Sequence, residues 1–247
     1  MKYYKFFKNK IFFLLLGTVF SNICLAQSTA LTKYDTSLTL GYKAMIGSDD
    51  VHSSVKITTP LIPGIDFNYY SYEEPLTLVL GISYKNIKFN DDNENNIAVE
   101  NVGSQHDINF KIYTLWDIFD RTRFAIGLRY VNHYFFQSKP SQAFVEAQSS
   151  LGVIGDLGLE YDVISSEDLT ATVQGSYGLA AAISGFKSGN ASFLGIKINQ
   201  KYSPEMNLIY SISYAEINTS TLLSDSTIAS SQGLGDLNLK LGIQKIF

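Results

Sequence analysis

Residues 237–247 read Leu237-Asn238-Leu239-Lys240-Leu241-Gly242-Ile243-Gln244-Lys245-Ile246-Phe247. From Leu237 to Ile243 the odd positions are apolar, and the even positions between them are polar or glycine. A period of two belongs to a β-strand, whose successive side chains point to opposite faces. One face of this strand is therefore apolar, while the other carries Asn238, Lys240, Gly242 and Gln244. A strand with two such unlike faces needs two unlike surroundings.

The same pattern runs back through the chain. Leu38, Leu40, Tyr42, Ala44 and Ile46 alternate with Ser37, Thr39, Gly41 and Lys43. Further alternating sets begin at Leu76, Ile108, Phe124, Leu151, Leu169, Leu194 and Leu208. A less regular strand covers Val55 to Tyr72, where Pro60 and Pro63 interrupt it; its odd positions Val55, Ile57, Leu61, Ile65, Phe67 and Tyr69 read as the apolar face. That makes ten strands, with eight or twelve as the bounds of the count.

Alternation alone fits a soluble sandwich equally well, and three other features separate the cases. Most of these segments are far longer than the 5 or 6 residues usual for strands in soluble proteins, and a tilted strand needs about 9 to 11 residues to cross a membrane. The connections alternate: Glu73-Glu74-Pro75, Asp117 to Thr122, Ser165 to Asp168 and Ser203-Pro204-Glu205 are tight. Between them fall longer polar loops, Gly47 to Ser54, Asn90 to Gln105, Gln137 to Gln142, Ser184 to Ser192 and Asn218 to Gly233. Finally, one face carries Leu, Ile, Val, Phe and Tyr and the other Lys, Arg, Asp, Gln, Ser, Thr and Gly. The first suits lipid and headgroups, and the second suits the inside of a closed barrel. Closure is required, because an open sheet edge in hydrocarbon leaves backbone groups unpaired.

The N-terminal stretch reads as an export leader. Lys2, Lys5, Lys8 and Lys10 precede the apolar run Ile11 to Phe20, and Cys24-Leu25-Ala26 offers a cleavage site before Gln27. The run is too short for a transmembrane helix. Ser21-Asn22-Ile23 is not the approach to a lipidated cysteine. Residues 1–26 are thus expected to be a cleavable signal peptide and 27–247 the barrel. The leader holds four of the 19 basic residues and no acid, so its loss takes the net charge from −4 to −8. That balance argues against nucleic acid as a partner. Cys24 is the only cysteine, so residues 27–247 can form no disulfide or thiolate metal site.

With these features in place, residues 237–247 and the chain that precedes them resemble the bacterial outer-membrane β-barrel proteins. The resemblance covers residues 27–247 as architecture and points to no single family. It implies a single antiparallel up-and-down transmembrane barrel in the outer membrane. It also implies that the strand bearing Leu239, Leu241, Ile243 and Phe247 is read by the barrel-assembly machinery. Lys245 departs from the usual pattern there, which prefers an aromatic or apolar residue.

Candidate chemistry lies mainly on the inner face. Lys43, Lys56, Lys85, Lys111, Arg123, Arg129, Lys197, Lys201 and Lys240 face Asp66, Asp107, Asp156, Glu160 and Asp236 there, nine bases against five acids. These charges either pair and plug a narrow lumen or form a basic constriction that favours anions. Inward glycines, including Gly41, Gly81, Gly127, Gly152, Gly158, Gly178, Gly195 and Gly242, either leave a path or relieve curvature. Ten strands lie near the small end of the range, where side chains fill the interior.

Other constellations are weaker. Asp49-Asp50, Asp91-Asp92, His52 and His106-Asp107 fall at outer strand ends, where ten-stranded omptin-type proteases keep their acidic and Asp–His pairs. Neighbours in a strand face opposite ways, so His106 and Asp107 cannot share a cleft on an unbroken strand. His133, flanked by Asn132 and Tyr134, reads as structural. Asp91-Asp92-Asn93-Glu94-Asn95-Asn96 lacks the ligand spacing and central glycine of a calcium loop. No metal, no cofactor and no enzymatic reaction are expected. The first functional expectation is a small porin-like channel or binding barrel for small polar solutes, with anions as one option. The competing expectation is a non-conducting structural or surface-interaction barrel that acts through its loops, and an outer-membrane hydrolase ranks third.

Overall fold

Period-two segments of this length can satisfy their backbone groups only by pairing side by side, and the computed structural model shows them doing so around a ring. It describes residues 31–47, 55–92, 97–101, 106–138, 144–182, 188–222 and 229–247. The expected leader, and with it Cys24, lies outside them. The strands are β1 (Leu31–Gly47), β2 (Val55–Thr58), β3 (Ile62–Glu73), β4 (Leu76–Asn86), β5 (Ala98–Asn101), β6 (His106–Phe119), β7 (Thr122–Ser138), β8 (Phe144–Ser165), β9 (Leu169–Ala182), β10 (Ser188–Ser203), β11 (Met206–Leu222) and β12 (Ala229–Ile246).

Ten ring positions result. β2 and β3 both pair with β1 and share one position; β4 and β6 to β12 follow in order, and β12 returns to β1. The closing seam runs unbroken from Lys33↔Ile246 to Gly47↔Gln232. β5 lies outside the ring and pairs in parallel with the start of β8, from Ala98↔Phe144 to Asn101↔Ala147. The tight turns gather at one end and the longer connections at the other. In the turn between β6 and β7, Arg121 takes a left-handed backbone conformation with φ 67°.

The two faces separate as alternation requires. Leu38, Leu40, Leu157, Leu159, Leu194 and Leu241 stand exposed on the outside. Ser37, Thr39, Lys43, Asp156 and Gln244 are buried inside. Aromatic rings mark the rims. At the inner rim Tyr34 lies 5.0 Å from Tyr69 and edge-on to Phe247 at 5.4 Å; toward the outer rim stand Tyr42, Tyr84, Tyr177 and Tyr214. Tyr34 and Tyr42 are eight residues apart on one strand, about 20 Å of barrel height at 3.4 Å per residue and a tilt near 40°. That is close to the height of an outer-membrane apolar band.

The interrupted second strand corrects the sequence reading. Val55 and Ile57 are 0% exposed and face inward, whereas Leu61 and Ile65 are 67% and 53% exposed. The facing phase slips between them. Thr59 takes up the slack: its N–H donates to Lys43 O at 2.9 Å and its Oγ1 accepts from Lys43 N at 2.9 Å. Pro60 follows, with no N–H to offer the ladder, so an irregular pair of residues stands where regular pairing would keep the phase. Lys56, expected inside, is therefore exposed.

A second reversal occurs in the β7–β8 hairpin. Lower down, Arg129 on β7 and Ile154 and Asp156 on β8 face inward. Higher up, the buried apolar residues, Tyr134, Phe136, Val145 and Ala147, carry the opposite parity. The β7–β8 register is continuous from Thr122↔Tyr161 to Ser138↔Val145, so no bulge causes the change. Among the described residues, ladder pairing with β6 ends at Tyr130 and pairing with β9 begins at Gly152. Beyond those limits only the short β5, among the same residues, joins the hairpin, at Phe144 to Ala147, and so narrow a ribbon twists more strongly than a full sheet.

The ribbon crosses the mouth. β7 and β12 occupy opposite ring positions, yet their Cα atoms come within 8 Å. Tyr134, Phe136, Val145 and Ala147 pack in one cluster with Met45, Ile57, Phe89, Ala191, Ile217 and Leu234. The outer end of the barrel thus has an apolar core, and the membrane-level interior is polar.

Candidate functional site

The interior below the ribbon is organised as ion pairs at three heights. Near the inner end, Arg123 donates to Glu160 Oε2 at 3.0 Å and to Asp162 Oδ1 at 2.8 Å. Thr172 and Gln174 donate to the same two acids at 2.6 and 2.8 Å. Lys197 on β10 reaches across to Asp35 on β1 at 3.2 Å, and Asp35 also accepts from Asn68 and from the Tyr70 hydroxyl. Lys240 pairs with Asp66.

At mid-height, Arg129 grips Asp156 with two bonds, at 2.5 and 2.8 Å, and the Tyr113 hydroxyl donates to the same carboxylate at 2.6 Å. Above it, Lys43 lies 2.9 Å from Asp236 and 3.1 Å from Asp107. Lys85 stands 3.7 Å from Asp236 and donates to Asn238. Charges buried this deeply are tolerable only with partners in reach.

Of the residues singled out in the sequence, Lys43, Lys85, Arg123, Arg129, Lys197 and Lys240 each have an acid within ion-pair distance, with Asp156 and Glu160 among those acids. Lys111 is the exception among the described residues: no ion pair or hydrogen bond is assigned to it, and its stem lies beside Gly81. Lys201 sits at the inner rim, where it donates to Glu167 Oε1 at 2.9 Å and holds that carboxyl below the usual carboxylate range. Leu239, Leu241, Ile243 and Phe247 point outward, 46% to 62% exposed.

Two acids that balance these bases escaped the sequence reading. Asp35 and Asp162 are buried on the inner face. Asp35 lies on β1 just before Leu38, and its parity, that of Ser37 and Thr39, places it inside.

The inward glycines give their space to neighbouring side chains. A Cβ added at Gly41 would meet Lys85 Nζ; at Gly81 it would meet Lys111 and Asn68; at Gly127, Tyr113; at Gly178, Asp156.

At the mouth, Phe136 N donates to Gln232 Oε1 at 2.9 Å, and Gln232 Nε2 donates to Phe136 O at 2.7 Å. Gln232 belongs to a stretch read from sequence as loop. Beneath the ribbon, Tyr134 places its ring 5.6 Å from Lys43 Nζ. Its buried hydroxyl has no hydrogen-bond partner among the described residues.

The residues weighed for hydrolysis do not converge where they are described. His106 is exposed and shares a 2.9 Å hydrogen bond with the Tyr84 hydroxyl, whereas Asp107 is buried against Lys43. Asp92 Oδ2 accepts from Lys56 N at 3.0 Å, and Asp91 Oδ1 accepts from Val99 N at 2.8 Å, so this acidic pair secures its own loop. His133 pairs through its backbone with Ser150. Asp49, Asp50 and His52 lie outside the described residues, as do Asn93 to Asn96 of the acidic loop.

No protein-family model matches this chain, and no curated protein matches it. Among solved structures, it is similar to the outer membrane protease OmpT from Escherichia coli, with 9% identity over 90% of this chain and 99% of that one and a TM-score of 0.53. It also aligns with an outer membrane channel from Pseudomonas putida F1, 10% identical over 90% and 97% of the two chains, TM-score 0.43. A third match is the translocator domain of the autotransporter NalP from Neisseria meningitidis, 12% identical over 90% of each chain, TM-score 0.41. At these identities the likeness is one of fold. The closed ring, its apolar exterior and its polar interior make this chain an outer-membrane β-barrel.

Proposed function

We propose that this protein is a closed outer-membrane barrel that conducts no solute at rest and acts through the surface formed by its outer connections. The observation that carries this reading is the double hydrogen bond between Gln232 and Phe136, which ties opposite walls together across the mouth. The ion pairs beneath add to it. An anion-favouring pore needs cations free to meet a passing solute, and here most inner-face bases have an acidic partner within reach. Purified barrel inserted into planar bilayers is expected to give no steady conductance. Resolved ohmic steps with anion preference would restore the porin-like reading for small polar solutes.

The reading includes two partners. The lipid bilayer surrounds the outward apolar face. The barrel-assembly machinery would recognise β12 through Leu239, Leu241, Ile243 and Phe247, all on that same face.

A further inference from the structure

We infer that the inner half of the lumen is a binding site for a small phosphate-class oxyanion, held among Lys33, Lys111 and Lys197. This goes beyond the closed-barrel reading: the anion enters from the inner end, stays there and does not cross.

One network of contacts gathers these lysines. Asp35 on β1 accepts from Lys197 Nζ at 3.2 Å, from the Tyr70 hydroxyl at 2.8 Å and from Asn68. Asn68 and the stem of Lys111 crowd the same glycine, since a Cβ at Gly81 would meet Lys111 Cε and Asn68 Oδ1. Lys33 stands two residues before Asp35 with the same inward parity and is half-buried. Lys240 joins through Asp66, two residues before Asn68 on β3. Lys240 and Lys197 both repel Lys111, while Lys197 and Arg123 repel Lys33.

The acids at this height are already engaged. Asp35 holds Lys197, Asp66 holds Lys240, and Glu160 and Asp162 both hold Arg123. Asp35 and Asp66 also attract Lys111, but each has another lysine in its grip. Among the described residues, Lys33 and Lys111 are therefore two ammonium groups near Lys197 with no acid of their own. Like charges gathered in a half-buried site repel more strongly than in water, and an anion placed among them offsets that repulsion. Each ammonium is a compact charge with three donors. Several of them together suit an ion with many oxygens, whereas a planar carboxylate is matched better by a guanidinium fork. A phosphoryl group carries a charge of about −1.5 to −2 near neutral pH, close to the two unanswered charges. The turns at the inner end are only two or three residues long, too short to cover the opening.

The test is calorimetric titration of inorganic phosphate into the barrel purified from outer membranes, in a phosphate-free maltoside detergent with ionic strength fixed by chloride. Saturable binding of one phosphate per barrel is expected. Lys111→Met and Lys33→Met are each expected to weaken it about tenfold or more, the factor that one lost charge-assisted hydrogen bond gives. Lys56→Met, at an exposed lysine of β2, is expected to leave it unchanged. Thermal melting supplies a second reading. Without phosphate, Lys111→Met sheds an unanswered charge and is expected to melt no lower than the parent; phosphate is expected to raise the melting temperature of the parent and not of this variant. If Lys111→Met does not assemble, Lys33→Met carries the same comparison. No saturable binding to the parent, or binding that keeps its strength in both variants, overturns the site and leaves the closed barrel standing. The closed-barrel reading fails separately, through steady conductance in planar bilayers.

Discussion

Gln232 on β12 treats Phe136 on β7 as a strand neighbour would, accepting from its N–H at 2.9 Å and donating to its carbonyl at 2.7 Å. The two strands stand on opposite sides of the ring. A primary amide can copy the hydrogen-bonding face of a peptide group, and Gln232 supplies what β6 no longer supplies so high on β7. Gln232→Leu keeps the bulk and strands both groups of a buried peptide. The expected cost is about 2–4 kcal/mol, read as a lower guanidinium midpoint in detergent with the single tryptophan, Trp116, as the probe.

Arg129 and Asp156 form a doubly bonded pair that Tyr113 completes. Asp156→Asn removes the charge that Arg129 needs, and a cost of about 3–5 kcal/mol is expected. Arg129→Met with Asp156→Leu removes both charges and should recover most of that loss. A double variant no more stable than Asp156→Asn would mean that the pair is not a unit.

Gly127 and Gly155 lie in adjacent strands but differ in what surrounds them. A Cβ at Gly127 would collide with the Ile112 carbonyl and the Tyr113 ring, while at Gly155 the nearest atom is a Leu128 methyl at 3.8 Å. Gly127→Ala is expected to lower the yield of heat-modifiable, folded barrel, because a backbone oxygen cannot step aside. Gly155→Ala should fold as the parent does.

Arg121 holds a φ of 67° in the β6–β7 turn, a region that costs a residue with a Cβ about 1–2 kcal/mol. Its carbonyl accepts from Asp162 N at 2.9 Å, which fixes the turn in place. Arg121→Gly should be neutral or raise the unfolding midpoint slightly. Arg121→Val should lower the unfolding free energy by about 1 kcal/mol or more, since a β-branched residue tolerates this region poorly.

The ring itself was legible because one rule, alternation, operates on every strand that faces lipid on one side. The ten positions and the outward face of Leu239, Leu241 and Ile243 follow from it. The rule fails where the backbone changes phase. Lys56 went to the wrong face because the Thr59–Pro60 irregularity moves every residue before it by one. Tyr134 and Phe136 share the parity of Tyr130 but turn inward, since a twisting ribbon rotates its faces without altering its period. Gln232 and β5 were hidden for another reason: both lie in polar stretches that read as loops, and their pairing partners are distant in sequence. The ion pairs were half legible. The bases stood out on the inner face, but which acid answers Lys197 or Arg123 depends on the stagger between strands, which no single strand records.

The β1–β12 seam has a consequence for how the molecule comes into being. Lys33 meets Ile246 and Gly47 meets Gln232, so the first strand of the ring waits for the last before its outer edge has a partner. An intermediate lacking β12 has two raw edges, which invite pairing with other chains in water and cannot be left bare in hydrocarbon. The cell must therefore shepherd the whole strand set, unjoined, until one late step zips it shut. Joining partners so remote along the chain is intrinsically slow, and the time spent open is when this protein is most exposed to aggregation and proteolysis.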